Sequence, residues 1–208
     1  MAYFWANDDK IKRTAMKSVL VYCGANPGLN PVYKETAVAL GKELAKRGIR
    51  LIYGGGSLGL MGTIANTVLE NGGEVVGIIP SFLDKMEVGH PNLTETHVVE
   101  TMHERKALME KMCDGIITLP GGFGSMDELF EILSWAQLGL HKKPVGLLNI
   151  NGFYEPLIAQ LDLMVREGFL KQTNREIVQI SGSIEGVFEL MYAYTPELSP
   201  KWLDRENI

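Results

Sequence analysis

Three stretches of this 208-residue chain combine glycines, cations and carboxylates at spacings that can do chemistry. In the first, an apolar run from Gly115 to Leu119 leads into Pro-Gly-Gly-Phe-Gly at 120–124. Leu129, Phe130, Leu133 and Trp135 then follow at roughly helical spacing. This reads as a strand, a tight turn and a helix N-terminus. Glycines let the backbone approach a ligand, and the free N–H groups of a first helical turn turn partial positive charge toward an anion, a phosphate above all. Ser125-x-x-Glu128 also fits a capping box, which would occupy both side chains without any ligand.

The second stretch is Met102-His103-Glu104-Arg105-Lys106. Its spacing places Arg105 and Lys106 in the first turn of a helix, where cations oppose the macrodipole by about a few tenths of a kcal/mol. A bound anion would account for them; so would simple pairing with Glu104 or Glu110 at the surface. The third stretch, Gly54-Gly55-Gly56-Ser57-Leu58-Gly59-Leu60-Met61-Gly62, matches G-x-G-x-x-G between a strand and a helix. A dinucleotide site needs an acidic residue about 20 positions on, at the end of the next strand. Here Glu74 opens that strand and Pro80 closes it, so an NAD-dependent oxidoreductase is disfavoured, and no P-loop motif is present. A glycine loop for the phosphate and another beside the sugar or base suit a mononucleotide better. Glu128 next to a bound ribose 5-phosphate could stabilise an oxocarbenium-like transition state, with Arg105 orienting the nucleotide or favouring departure of the base.

The elements that must position these residues alternate. Strand-like runs occupy 18–22, 49–53, 74–79, 97–99, 115–119, 144–150 and 177–181. Helical patterns occupy 31–47, the stretch after Gly62 to about Asn71, 102–112, the stretch from Ser125, 154–167 and 184–192. Short apolar strands without polar alternation predict an α/β, Rossmann-like fold, a parallel sheet covered by helices on both faces. Residues 1–15 read as an arm, 16–194 as a single nucleotide-binding domain and 195–208 as a tail, with 81–95 a loop that could cover the site.

Composition sets the outer bounds. The chain is 46% hydrophobic and 22% charged, ordinary for a globular protein, and no transmembrane helix is expected. The first ten residues do not read as a secretory signal, so a cytoplasmic protein is expected. A net charge of −5 and the lack of a basic run argue against nucleic acid as a partner. Cys23 and Cys113 lack metal-type spacing and read as reduced, structural thiols; neither a metal nor a cofactor is expected.

Across residues 17–192 the chain resembles the LOG ("Lonely guy") family of cytokinin riboside 5′-monophosphate phosphoribohydrolases. The resemblance rests on Pro120-Gly-Gly-Phe-Gly-Ser-Met-Asp-Glu128, Met102-His-Glu-Arg-Lys106 and Gly54-Gly-Gly-Ser-Leu-Gly-Leu-Met-Gly62. It implies hydrolysis of the N-glycosidic bond of a nucleoside 5′-monophosphate, AMP or an N6-prenylated AMP, to free base and ribose 5-phosphate. It also implies Arg105 and Glu128 as the catalytic pair, and Lys106, Gly121, Gly122, Gly124 and Ser125 around the nucleotide. Glu87 and Ser134 match further binding positions, Met102, Gly55 and Gly56 join them from the shared motifs, and a homodimer with sites near its interface is expected.

Two departures stand out: Ser125 where the motif usually has Thr, and Asn26 after Cys-Gly-Ala where many relatives carry Ser-Ser. Family members have often been labelled lysine decarboxylases, but no residue pattern in this chain argues for pyridoxal phosphate chemistry. The alternative from another class is a non-catalytic nucleotide or cofactor carrier on the same fold, which would not need both Arg105 and Glu128.

Overall fold

The computed structural model describes residues 16–84 and 89–196. The arm, most of the tail and Glu87 lie outside the described residues. Among the described residues seven strands, β1 (Ser18–Tyr22), β2 (Arg50–Tyr53), β3 (Val75–Pro80), β4 (Glu95–Val99), β5 (Gly115–Thr118), β6 (Val145–Leu148) and β7 (Val178–Ser181), form one sheet in the order β4-β3-β2-β1-β5-β6-β7. Every pairing is parallel, Tyr22 standing beside Thr118 where β1 meets β5. The fold is α/β and Rossmann-like, as the alternating pattern predicts.

Helices α1 (Pro31–Arg47), α2 (Gly59–Glu70) and α8 (Ile184–Ala193) cover one face of the sheet. Helices α4 (Met102–Met112), α5 (Phe123–Gln137) and α6 (Glu155–Arg166) cover the other, and α3 (Ser81–Asp84) and α7 (Gln172–Arg175) are single turns. Side chains of β1 and of Cys23 just after it alternate between the two cores: Val19, Val21 and Cys23 pack with α1, α2 and α8, while Leu20 and Tyr22 pack with α4, α5 and α6. Both faces are buried, which is why the strands read as continuous apolar runs, each large apolar side chain contributing about 1.5–3 kcal/mol on burial.

Local sequence sets the helix ends. Asn30 caps α1 through the Val32 amide (3.1 Å), Pro31 fits its first turn, and Gly48 closes it in the left-handed region at φ 66°. The region expected as a loop over 81–95 contains the turn α3, and β4 starts at Glu95, two residues earlier than its apolar residues suggest. Edge strand β4 carries exposed polar residues that a hydrophobicity pattern passes over.

The chain leaves β1 toward β2 on one side and β5 toward β6 on the other, with α1 and α5 on opposite faces. The crevice at the carboxyl ends of β1 and β5 is therefore the topological switch point, where open α/β sheets bind ligands.

Candidate active site

A cleft of about 530 Å³ opens at this switch point. Its walls are the β1–α1 loop from Cys23 to Gly28, the β5–α5 turn from Pro120 to Ser125, Leu60 and Met61 of α2, and the side chains of Arg105, Glu128, Tyr33 and Phe153. Hydrogen bonds lace the three loops together: Gly24 N donates to Pro120 O (3.1 Å) and Leu60 N to Gly24 O (3.0 Å). Gly121 is required by the close approach of these segments, since a Cβ there would overlap Ser125 Oγ and crowd the Gly24 amide.

Helix α5 starts three residues earlier than a Ser125 cap demands. Its N-cap is Gly122, which offers no side chain, and the first intrahelical bond runs from Met126 N to Gly122 O (3.1 Å). The amides of Phe123, Gly124 and Ser125 precede that bond and have no intrahelical acceptor. The capping box that Ser125-x-x-Glu128 also fits is thus not formed. Both residues instead belong to the buried face of α5, which runs Ser125, Glu128, Leu129, Ile132, Ala136. Phe130, expected on the apolar face, is exposed. The buried stripe turns polar where the helix enters the cleft.

Helix α4 supplies the opposing charge. Arg105 and Lys106 are 9% and 7% exposed, so they are not solvated surface cations. They stand one turn in, behind a capping box in which Thr101 Oγ1 accepts from Glu104 N (3.1 Å) and Glu104 accepts from Thr101 N (3.3 Å). Arg105 donates through Nε to Ile78 O (3.2 Å) and through Nη1 to Met102 Sδ (3.7 Å), and its Nη2 lies 3.3 Å from Glu128 Oε1. Gly54 makes room for it, because a Cβ at that position would overlap Nη2. Burial pushes the Glu128 carboxyl up to about 7, with Asp127 and Glu131 adding to the rise and Arg105 and Lys106 opposing it. A buried carboxyl group poised near neutrality, ion-paired on one side and open to a cleft on the other, is a signature of functional sites.

Of the residues expected at the site, the fold brings Arg105, Glu128, Gly121, Gly122, Gly124 and Ser125 to one cleft. Met102 stands behind Arg105. Lys106 does not line the cleft and pairs with Asp127 (3.1 Å) and Glu131 (3.0 Å) on its outer side. Gly55 and Gly56 do not line the cleft: Gly55 O accepts from His90 N (2.8 Å) and Gly56 bridges Gly89. Ser134 is exposed about three turns along α5, its hydroxyl donating to Phe130 O (2.7 Å). Glu87 lies outside the described residues.

Gly24, Gly28, Tyr33 and Phe153 were not singled out by sequence. Phe153 meets Tyr33 and Tyr154 edge-on at 5.8 and 4.9 Å, and Tyr154 Oη anchors this stack to Leu119 O (2.8 Å). Their signal lay in the strand order: once β1, β5 and β6 are placed side by side, the segments that follow them border the same crevice. Among the described residues, no group of three or more His, Cys, Asp or Glu could hold a metal ion.

Comparison with known proteins places this geometry in a lineage. Residues 61–191 match the profile of a family described as "Possible lysine decarboxylase". A cytokinin riboside 5′-monophosphate phosphoribohydrolase of Rhodococcoides fascians is 48% identical over 175 residues, covering 84% of this chain and 88% of that protein. The protein LOG of Oryza sativa subsp. japonica, with the same activity in its name, is 45% identical over 186 residues, 89% of this chain and 77% of its own. The solved structure of TM1055 superposes with a TM-score of 0.66 at 26% identity, over 86% of this chain and all of that one. The chain belongs to the LOG family of cytokinin riboside 5′-monophosphate phosphoribohydrolases.

Proposed function

We propose that the protein hydrolyses the N-glycosidic bond of nucleoside 5′-monophosphates, AMP or N6-prenylated AMP, releasing the base and ribose 5-phosphate for cytokinin activation or nucleotide salvage. The observation that carries the reading is the Arg105–Glu128 pair at 3.3 Å in the wall of a cleft that also holds the uncapped N-terminus of α5. The 5′-phosphate sits against the amides of Gly121 to Ser125, where helix dipole and free N–H groups favour an anion. The ribose then faces Glu128. As the C1′–N bond lengthens, positive charge grows on the ring and the Glu128 carboxylate stabilises it. Water completes the displacement at C1′, its oxygen forming the new bond, while the base leaves with the bonding electron pair and takes up a proton. Arg105 holds the carboxylate in place and faces the departing base.

The ionised form of Glu128 does this work, so kcat/KM rises with pH through about 7 in the free enzyme. A decarboxylase built on pyridoxal phosphate would ask for a cleft lysine to form the Schiff base, and among the described lining residues there is none. A carrier would have no use for a carboxylate held beside the sugar.

The protein acts as a homodimer in the cytoplasm. Phe130, Ser134 and Leu138 form an exposed stripe on the outer side of α5, suited to a second copy, and Ser134 would serve the partner's cleft rather than its own. Cys23 and Cys113 are buried and unpaired, in keeping with a reducing compartment, and no described helix is long and apolar enough to cross a membrane. The test is incubation of the purified protein with AMP, N6-isopentenyl-AMP, CMP and adenosine, followed by chromatography. Base released from AMP or its prenylated form, with adenosine untouched, is the expected result. Binding of AMP without release of base would point to the carrier.

A further inference from the structure

Helices α4 and α5 are joined by two consecutive cations and three acidic residues. Arg105 and Lys106 are adjacent, so their side chains leave α4 about 100° apart. Arg105 turns into the cleft to meet Glu128 at 3.3 Å. Lys106 turns outward, and its Nζ lies 3.1 Å from Asp127 Oδ2 and 3.0 Å from Glu131 Oε1, the residues immediately before Glu128 and three after it. The ammonium group is buried while Asp127 is largely exposed, so the clamp is desolvated mainly on the lysine side. Burial alone would pull the Lys106 ammonium down, but the two carboxylates outweigh it and hold its pKa above the ordinary value.

From this geometry we infer that Lys106 is a positioning residue for Glu128 and no ligand of the nucleotide. By gripping α5 on both sides of Glu128 it fixes the helix rotation that aims the carboxylate into the cleft. It also neutralises Asp127 and Glu131, whose charges would otherwise push Glu128 further toward its protonated form. The charged and titratable groups around Glu128 are Arg105 and Lys106 from α4, Asp127 and Glu131 from α5, and Tyr22 and Cys23 from the end of β1. The last two are held neutral by burial, and the Glu128 charge raises both further. Lys106 is the one cation of this group that lies outside the cleft lining. It can act on the reaction without touching substrate.

The inference rests on the proposed hydrolysis for its kinetic arm but not for its titration arm. In Lys106→Met, kcat for AMP falls about tenfold or more, since misaimed catalytic groups are costly. KM stays within about threefold, and the acidic limb of the kcat/KM profile moves up by about half a pH unit to one unit. Lys106→Arg, which can reach the same two carboxylates, restores most of kcat and returns the limb. Titration of Glu128 by carbon NMR in the unliganded protein reads the same upward shift in Lys106→Met whether or not AMP is a substrate. A KM raised tenfold or more at unchanged kcat, with the Glu128 titration unmoved, would make Lys106 a nucleotide ligand and overturn the inference. Absence of turnover in the unsubstituted protein, with the NMR shift intact, would sink the hydrolase reading alone.

Discussion

Two helix N-termini of the same fold, those of α4 and α5, solve the problem of unpaired amides in opposite ways. Helix α4 closes itself: Thr101 accepts from Glu104 N, and the Glu104 carboxylate accepts from both Glu100 N (2.9 Å) and Thr101 N. Helix α5 begins at a glycine that has nothing to offer, and its first amides border the cleft. Both termini carry Ser or Thr followed three residues later by Glu, so the motif alone does not separate them. Position does. Thr101 is the extended residue before its helix, at φ −126° and ψ 159°, whereas Ser125 is already third within its own. A closed end serves stability, and an open one is left for a ligand; the capped helix then lends the open one its Arg105.

The sharpest break in this comparison is removal of the charge that makes the open end more than an anion site. Glu128→Gln keeps shape and loses the carboxylate, and turnover should fall about 10²- to 10⁴-fold while AMP binding by calorimetry changes only a few-fold. Near-normal turnover would refute the mechanism. The same variant tests the buried carboxyl thermodynamically. Its folded-state pKa of about 7 lies above the ordinary 4.5, so the favourable contribution is complete below pH 4.5 and is lost as pH rises through 7. That window corresponds to about 3 kcal/mol at most, one pKa unit being about 1.4 kcal/mol. Melting curves at pH 8 should therefore find Glu128→Gln more stable than the unsubstituted protein, with the gap closing toward pH 5.

A middle-sized effect comes from converting the open terminus into a closed one. At Gly122 a Cβ meets nothing within 4 Å and φ is −97°, so Asp is sterically permitted there. As an N-cap, Asp is better than Gly by a few tenths of a kcal/mol, which is about 1 °C in Tm for a domain of this size. Its carboxylate would also occupy the place of the phosphate, and repulsion of about 1.4–2.8 kcal/mol weakens AMP binding about 10- to 100-fold. Unchanged affinity in a fully folded Gly122→Asp would move the phosphate away from α5.

How far the sequence carries this picture depends on whether a feature is local. The strand runs at 18–22 and 115–119 and the glycine turn at 120–124 were legible because they are written in consecutive residues. The start of α5 was not, since Phe123 and Gly124 are weak helix formers and only the packed structure commits them to the first turn. The burial of Arg105 and Lys106 was hidden for another reason. A cation reads as exposed until its partners are known, and Glu128, Asp127 and Glu131 lie more than 20 positions away. The Thr101-x-x-Glu104 box is written in consecutive residues and obeys the same rule as Ser125-x-x-Glu128, so it too is legible locally. Tyr33 and Phe153 needed the order β1-β5-β6, which no window of sequence contains.

The smallest effect is expected at the closed end itself. Thr101→Ala deletes the side-chain acceptor of the Glu104 amide and should cost about 1 kcal/mol, lowering Tm by about 2–4 °C. Catalysis should hardly notice, because Arg105 is fixed from its far end by Ile78 O at 3.2 Å, Met102 Sδ at 3.7 Å and Glu128 at 3.3 Å, none of which involves the cap. The expected result is kcat and KM within about twofold of the unsubstituted protein at 25 °C, where loss of about 1 kcal/mol leaves a typical domain almost wholly folded. A tenfold loss of kcat at 25 °C, with the same modest drop in Tm, would mean that the cap also sets the position of Arg105. The two termini would then form one catalytic device, with no division between a structural end and a functional one.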